Sequence, residues 1–119
     1  MTKVRRAVGQ YGERVAERYL TAAGLVVLDR NWRCAEGEVD LILRDGPDVV
    51  FCEVKTRRGG AFGRPAEAIG EDKVRRLRRL ATRWLEQTEV HPRDLRFDVV
   101  EVLPQARGAT LVEHIRAAF

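Results

Sequence analysis

Residues 39–57 read VDLILRDGPDVVFCEVKTR, two apolar runs rich in β-branched residues hinged on Asp45-Gly46-Pro47-Asp48. Glycine and proline flanked by aspartates form a turn signal, and the runs on either side suit strands. The reading is Val39 to Arg44 and Val49 to Arg57, folded back as a hairpin. Side chains alternate along a strand, so Val39, Leu41 and Leu43 are expected on one face and Glu38, Asp40 and Ile42 on the other. By the same rule Val49, Phe51, Glu53 and Lys55 share a face. Closing the hairpin then brings Asp40, Glu53 and Lys55 together on one face at its open end.

Around this hairpin the rest of the chain falls into place. Val8 to Ala23 carries apolar residues at helical spacing (Val8, Tyr11, Val15, Ala16, Tyr19 and Leu20 among them), with Gly24 as the stop. Gly9 and Gly12 lie near the apolar face, where a missing side chain lets a helix approach its neighbour closely. Leu25 to Asn31 suits a first strand. After the hairpin, residues 58–65 form a glycine-rich loop, and Ala66 to Gln87 suits a second helix with Val74, Leu77, Ala81, Trp84 and Leu85 on one face. Leu95 to Leu103 and Thr110 to Ile115 are the last strands. The order α-β-β-β-α-β-β predicts an α/β fold with a mixed sheet flanked by helices.

The chain has 119 residues, room for one domain spanning 1–119. With 45% hydrophobic and 34% charged residues it is neither a membrane protein nor a disordered one. No apolar run approaches the roughly 20 residues of a membrane span, and no apolar segment follows the basic N-terminus, so a cytoplasmic protein is expected. Cys34 and Cys52 are expected as reduced thiols, and no further Cys or clustered His completes a zinc site. The net charge of +4 permits nucleic-acid binding without requiring it.

Two carboxylates and a lysine crowded at a strand end repel or desolvate one another at a cost. A divalent cation removes that cost. Mg²⁺ accepts one or two carboxylates together with water and phosphate oxygens, polarises a phosphoryl group and acidifies a bound water. Glu-x-Lys is also an ordinary cross-strand ion pair worth under about 1 kcal/mol, and the residues alone leave both readings open. Glu13 likewise reads as a surface glutamate near a helix N-terminus or as a ligand reaching the sheet.

Several stretches together resemble the YraN family of bacterial endonuclease-like proteins. They are Gly12-Glu13, Asn31-Trp32-Arg33, residues 37–42 (GEVDLI), residues 51–57 (FCEVKTR), Phe62-Gly63-Arg64-Pro65, Lys73 and residues 96–100 (RFDVV). That family is similar to archaeal Holliday junction resolvases and to the restriction-endonuclease-like superfamily, whose motif is PD-(D/E)xK. The resemblance implies an αβββαβ core with a metal site at one sheet edge. It implies a metal-dependent endonuclease hydrolysing DNA phosphodiesters, at branched or distorted sites, with Mg²⁺ or Mn²⁺ as its replacement. Asp40 matches the motif aspartate, Glu53 the second acid, Lys55 the lysine, and Glu13 the helical glutamate that completes metal ligation. Val39 stands in place of the motif proline, and Glu38, facing the same way as Asp40, is a rival ligand. Resolvases of this kind act as homodimers.

A phosphate-binding surface is expected from Arg57, Arg58 and Arg64 in and beside the loop, with Phe62 as a stacking ring. Lys73, Arg75, Arg76, Arg79 and Arg83 on the second helix would extend it, or else form a solvated helix face. Nothing specifies a base sequence, so recognition of shape is expected. The alternative function is a non-catalytic nucleic-acid-binding module on the same fold.

Overall fold

The computed structural model describes residues 3–57 and 70–119. They form α1 (Lys3–Ala22), β1 (Val26–Cys34), β2 (Gly37–Asp45), β3 (Asp48–Thr56), α2 (Glu71–Glu86), β4 (Leu95–Leu103) and β5 (Leu111–Ile115). The five strands lie side by side in chain order. All neighbours are antiparallel except β3 and β4, which α2 joins as a parallel pair. This is the expected α/β architecture with a mixed sheet, consistent with a restriction-endonuclease-like core. Among the described residues no helix is long and apolar enough to cross a membrane. Both cysteines are free thiols.

Local sequence explains the element ends. Gly24 adopts φ 100°, and the N–H groups of Gly24 and Leu25 reach back to the carbonyls of Thr21 and Leu20, a Schellman close that terminates α1. The hairpin closes as read, with Asp45 opposite Asp48. Glu71 and Asp72 occupy the first turn of α2 and Arg83 the last, each complementing the helix dipole. Residues 66–69, read as the start of that helix, lie outside the described residues.

The sheet carries an apolar layer on each face. Leu41, Leu43, Val50, Cys52, Val100 and Val102 pack against Ala16 and Leu20 of α1. On the opposite face Ile42, Val49, Phe51 and Phe97 meet Leu77, Leu80, Ala81 and Trp84 of α2. Phe51 stacks on Phe97 and meets Trp84 edge-on. Burial of these two layers supplies the main stabilisation, at about 25 cal/mol per Å² of apolar surface.

One expectation is overturned. Val39 does not share the Leu41 and Leu43 face; it packs with the α2 layer, as does its partner Trp32. The alternation breaks because Asn31, opposite Asp40, takes a left-handed φ of 47°, and the β1–β2 ladder skips that pair. Asparagine tolerates this conformation better than most residues. Both strands change face at this point, where the candidate site lies.

Candidate active site

Strands β2 and β3 remain paired as far as Leu41 and Cys52, and no further. Beyond that point the Asp40 carboxylate takes over from backbone pairing, its Oδ2 accepting the Val54 N–H at 2.8 Å. Glu53, the residue before Val54, lies on the α2 side. Its Oε1 accepts Lys73 Nζ at 2.6 Å and lies 3.4 Å from Lys55 Nζ. Its Oε2 is buried and has no hydrogen-bond partner among the described residues. Glu13 approaches from α1 and accepts the Asn31 amide at 2.9 Å. Gly12 allows this approach: a Cβ there would overlap the Thr56 hydroxyl at the end of β3. Among the described residues nothing lies within 4 Å of a Cβ built at Gly9, so the close-packing role expected of both falls to Gly12.

The Asp40 carboxyl is pushed up from 3.8 to about 6, chiefly by burial, with Glu13, Glu53 and Glu38 adding repulsion and the Val54 N–H opposing the rise. A cavity of about 280 Å³ opens on the α2 side, lined by Glu38, Asp40, Glu53, Lys73 and Arg76. The donor set is oxygen-rich, and among the described residues one buried carboxylate oxygen of Glu53 lacks a hydrogen-bond partner, a donor chemistry that suits a hard divalent cation. Among the described residues, however, no three Asp, Glu, His or Cys side chains stand grouped for ligation. Asn31 holds Glu13 and Lys73 holds Glu53 instead.

A family model described as uncharacterised protein family UPF0102 matches residues 12–102. The chain belongs to the UPF0102 family. A UPF0102 protein of Frankia alni is 55% identical over 98% of each chain. One from Beutenbergia cavernae is 55% identical over 96% of this chain and 97% of its own. A third, from Streptomyces coelicolor, is 56% identical over 94% and 88%. UPF0102 is the YraN family, so the motif resemblance led to the right family.

In this UPF0102 chain the residues read as the catalytic set, Asp40, Glu53 and Lys55, meet at the parting of β2 and β3. Glu13 flanks them. Glu38, the rival ligand, is exposed and lies 3.5 Å from Arg33 while still lining the cavity. Lys73, read as part of a basic face, turns inward onto Glu53. Arg76 lines the same cavity. Arg57 Nε lies 3.7 Å from Glu101.

Of the remaining arginines of α2, Arg78 lies over the Phe97 ring at 5.9 Å, and the other three are paired with carboxylates. Arg79 and Arg83 both donate to Glu36, at 3.1 and 2.7 Å, and the Arg83 bond holds the Glu36 carboxyl below its ordinary range. Arg75 pairs with Asp72 and, at 4.0 Å, with Glu71. Arg58, Phe62 and Arg64 lie outside the described residues.

Sequence reasoning missed Asn31, which orients Glu13, and Glu101. Glu101 is fully buried in β4, in register with Lys55, and among the described residues neither of its carboxylate oxygens has a hydrogen-bond partner. Asp98, the other buried acid of β4, is fully engaged. It accepts from Arg96 at 2.9 and 3.0 Å and from the Ala117 N–H at 3.0 Å, and His114 lies at 2.7 Å. The signal for Glu101 was available: an acid within an apolar run, on the same parity as Phe97, as Glu53 is with Phe51.

Proposed function

We propose that this protein is a metal-dependent endonuclease that hydrolyses DNA phosphodiester bonds, at branched or distorted sites, in the cytoplasm. The observation that carries the reading is the meeting of Asp40, Glu53 and Lys55 where β2 leaves β3, with Asp40 pushed up to about 6 by burial and neighbouring acids. Asp40, Glu53 and Glu13 would hold Mg²⁺ or Mn²⁺. When bound, the ion supplies Lewis-acid polarisation of a phosphoryl oxygen and offsets charge that builds in the transition state.

The chain's own groups do the rest. Asp40 is fixed by the Val54 N–H, so its free oxygen keeps one direction. Lys55, on the same face as Glu53, donates hydrogen bonds to the phosphoryl oxygens as negative charge develops on them. Val54 between them packs with the α1-side layer and anchors both neighbours. The engagement of Glu13 by Asn31 and of Glu53 by Lys73 favours a second reading, a nucleic-acid-binding module without turnover. A cleavage assay separates the two. Wild type and Asp40→Asn are compared on linear, flapped and four-way DNA with Mg²⁺, Mn²⁺ or EDTA. Metal-dependent cutting lost in the variant is expected; binding without cutting in any metal overturns the nuclease reading.

A further inference from the structure

On the α1 side, away from the acidic cavity, Asp40 also opens onto two adjoining grooves of about 590 and 680 Å³ between α1 and the β1–β2 hairpin. Gln10, Glu13 and Asn31 line both. Arg14 and Arg18 line one, Arg6 the other. Resting on the nuclease reading above, we propose that a nucleic-acid strand lies along this groove, with Arg6, Arg14 and Arg18 on its phosphates, and that α2 is not the binding face.

The distribution of paired and unpaired arginines carries this. Arg6, Arg14 and Arg18 are exposed, and among the described residues none has a carboxylate within 4.0 Å. Arg30 on the far wall is held by Glu17 at 2.6 and 2.8 Å, and Arg33 faces Glu38. On α2, Arg75, Arg79 and Arg83 are paired with carboxylates and Arg78 lies over the Phe97 ring, which leaves Arg76, at the acidic cavity, as the α2 arginine with neither kind of contact among the described residues. A phosphate approaching α2 would compete with Glu36 for two of its guanidinium groups, whereas one approaching Arg6, Arg14 and Arg18 breaks no ion pair seen among the described residues.

Spacing agrees. Arg6, Gln10, Arg14 and Arg18 follow one another at intervals of four, a single ridge of the helix. Arg6 to Arg18 spans about 18 Å at 1.5 Å per residue. Measured along a duplex axis, that length covers about five phosphates of one strand at about 3.4 Å of rise each. The ridge runs past Glu13, and Asp40 lines both grooves, so a strand seated on it carries a phosphodiester to the acids. Three unopposed positive charges also offset the repulsion those acids exert on a polyanion.

Fluorescence polarisation in EDTA tests this without any cutting, using labelled single-stranded, duplex and four-way DNA across a salt series. The triple variant Arg6→Gln, Arg14→Gln, Arg18→Gln is compared with Arg75→Gln, Arg79→Gln, Arg83→Gln, both checked for folding by circular dichroism. The α1 variant should lose roughly tenfold or more in affinity, and its log K against log salt slope should fall by about 2.7, or 0.9 per lost contact. The α2 variant should stay within about threefold of wild type, with its slope unchanged. Binding by wild type that the α2 variant loses and the α1 variant keeps overturns this placement while leaving the nuclease reading intact. No binding of any DNA by wild type overturns both.

Discussion

Replacing Asp40 by Asn should make the metal-free protein more stable at neutral pH. The carboxyl titrates at about 6 in the fold against 3.8 ordinarily, so the fold binds its proton more tightly than the unfolded chain does. Such a group adds stability below about pH 4 that is lost as the pH rises through about 6. The shift corresponds to about 3 kcal/mol, and partial solvent screening brings this to about 2–3 kcal/mol. Asparagine keeps an oxygen for the Val54 N–H and has no charge to desolvate. Urea unfolding in EDTA, followed by circular dichroism from pH 4 to 8, reads the difference directly. The two proteins should nearly coincide at pH 4, diverge between about pH 4 and 6 and stay apart above that, the variant unfolding at a midpoint higher by about 1–2 M for a typical urea slope. Added Mg²⁺ or Mn²⁺ should then stabilise wild type but not the variant at pH 8, by about 2.7 kcal/mol at a hundredfold excess over Kd. Parallel curves through the whole pH window would refute the reasoning, because they would mean that Asp40 ionises without penalty.

Lys73→Met removes the ammonium that holds Glu53; in EDTA the variant should be less stable than wild type, and it should bind Mn²⁺ more tightly by calorimetry, since no cation has to be displaced. Equal Mn²⁺ affinities would show that the Lys73–Glu53 pair does not compete with the ion. Gly12→Ala sets two effects against each other: alanine raises helix propensity by about 1 kcal/mol, while forcing α1 off Thr56 costs about 1–3 kcal/mol. Thermal unfolding should show net destabilisation, and a stabilised variant would mean that α1 is not seated tightly on β3.

Much of the architecture was legible because it rests on short-range patterns. The Gly46-Pro47 turn, the Gly24 stop and the apolar run of Leu95 to Leu103 each announce themselves within a few residues. The change of face at Asn31 does not, because it depends on one residue's φ in a stretch that otherwise reads as regular strand. That is also why the first strand was expected to end at Asn31, when it continues through Trp32 to Cys34. The acids Asp40 and Glu53 stood out as charges within apolar runs. Lys73, Arg79 and Arg83 were visible only as charges. Their partners Glu53 and Glu36 are distant in sequence, so which cations were already engaged became apparent only once the chain was folded.

The Asp40–Val54 bond gives the carboxylate a second occupation. It serves as a rung of the sheet, made from a side chain where backbone would ordinarily sit, so the zip between two strands ends on a group whose charge can change. A side chain too short to accept that bond, such as alanine at position 40, would strand a main-chain donor and unfasten the sheet while it removes the acid. Chemistry and architecture at this position are therefore separable only by an isostere. The same coupling means that whatever alters the charge on Asp40 is felt first by the seam between β2 and β3.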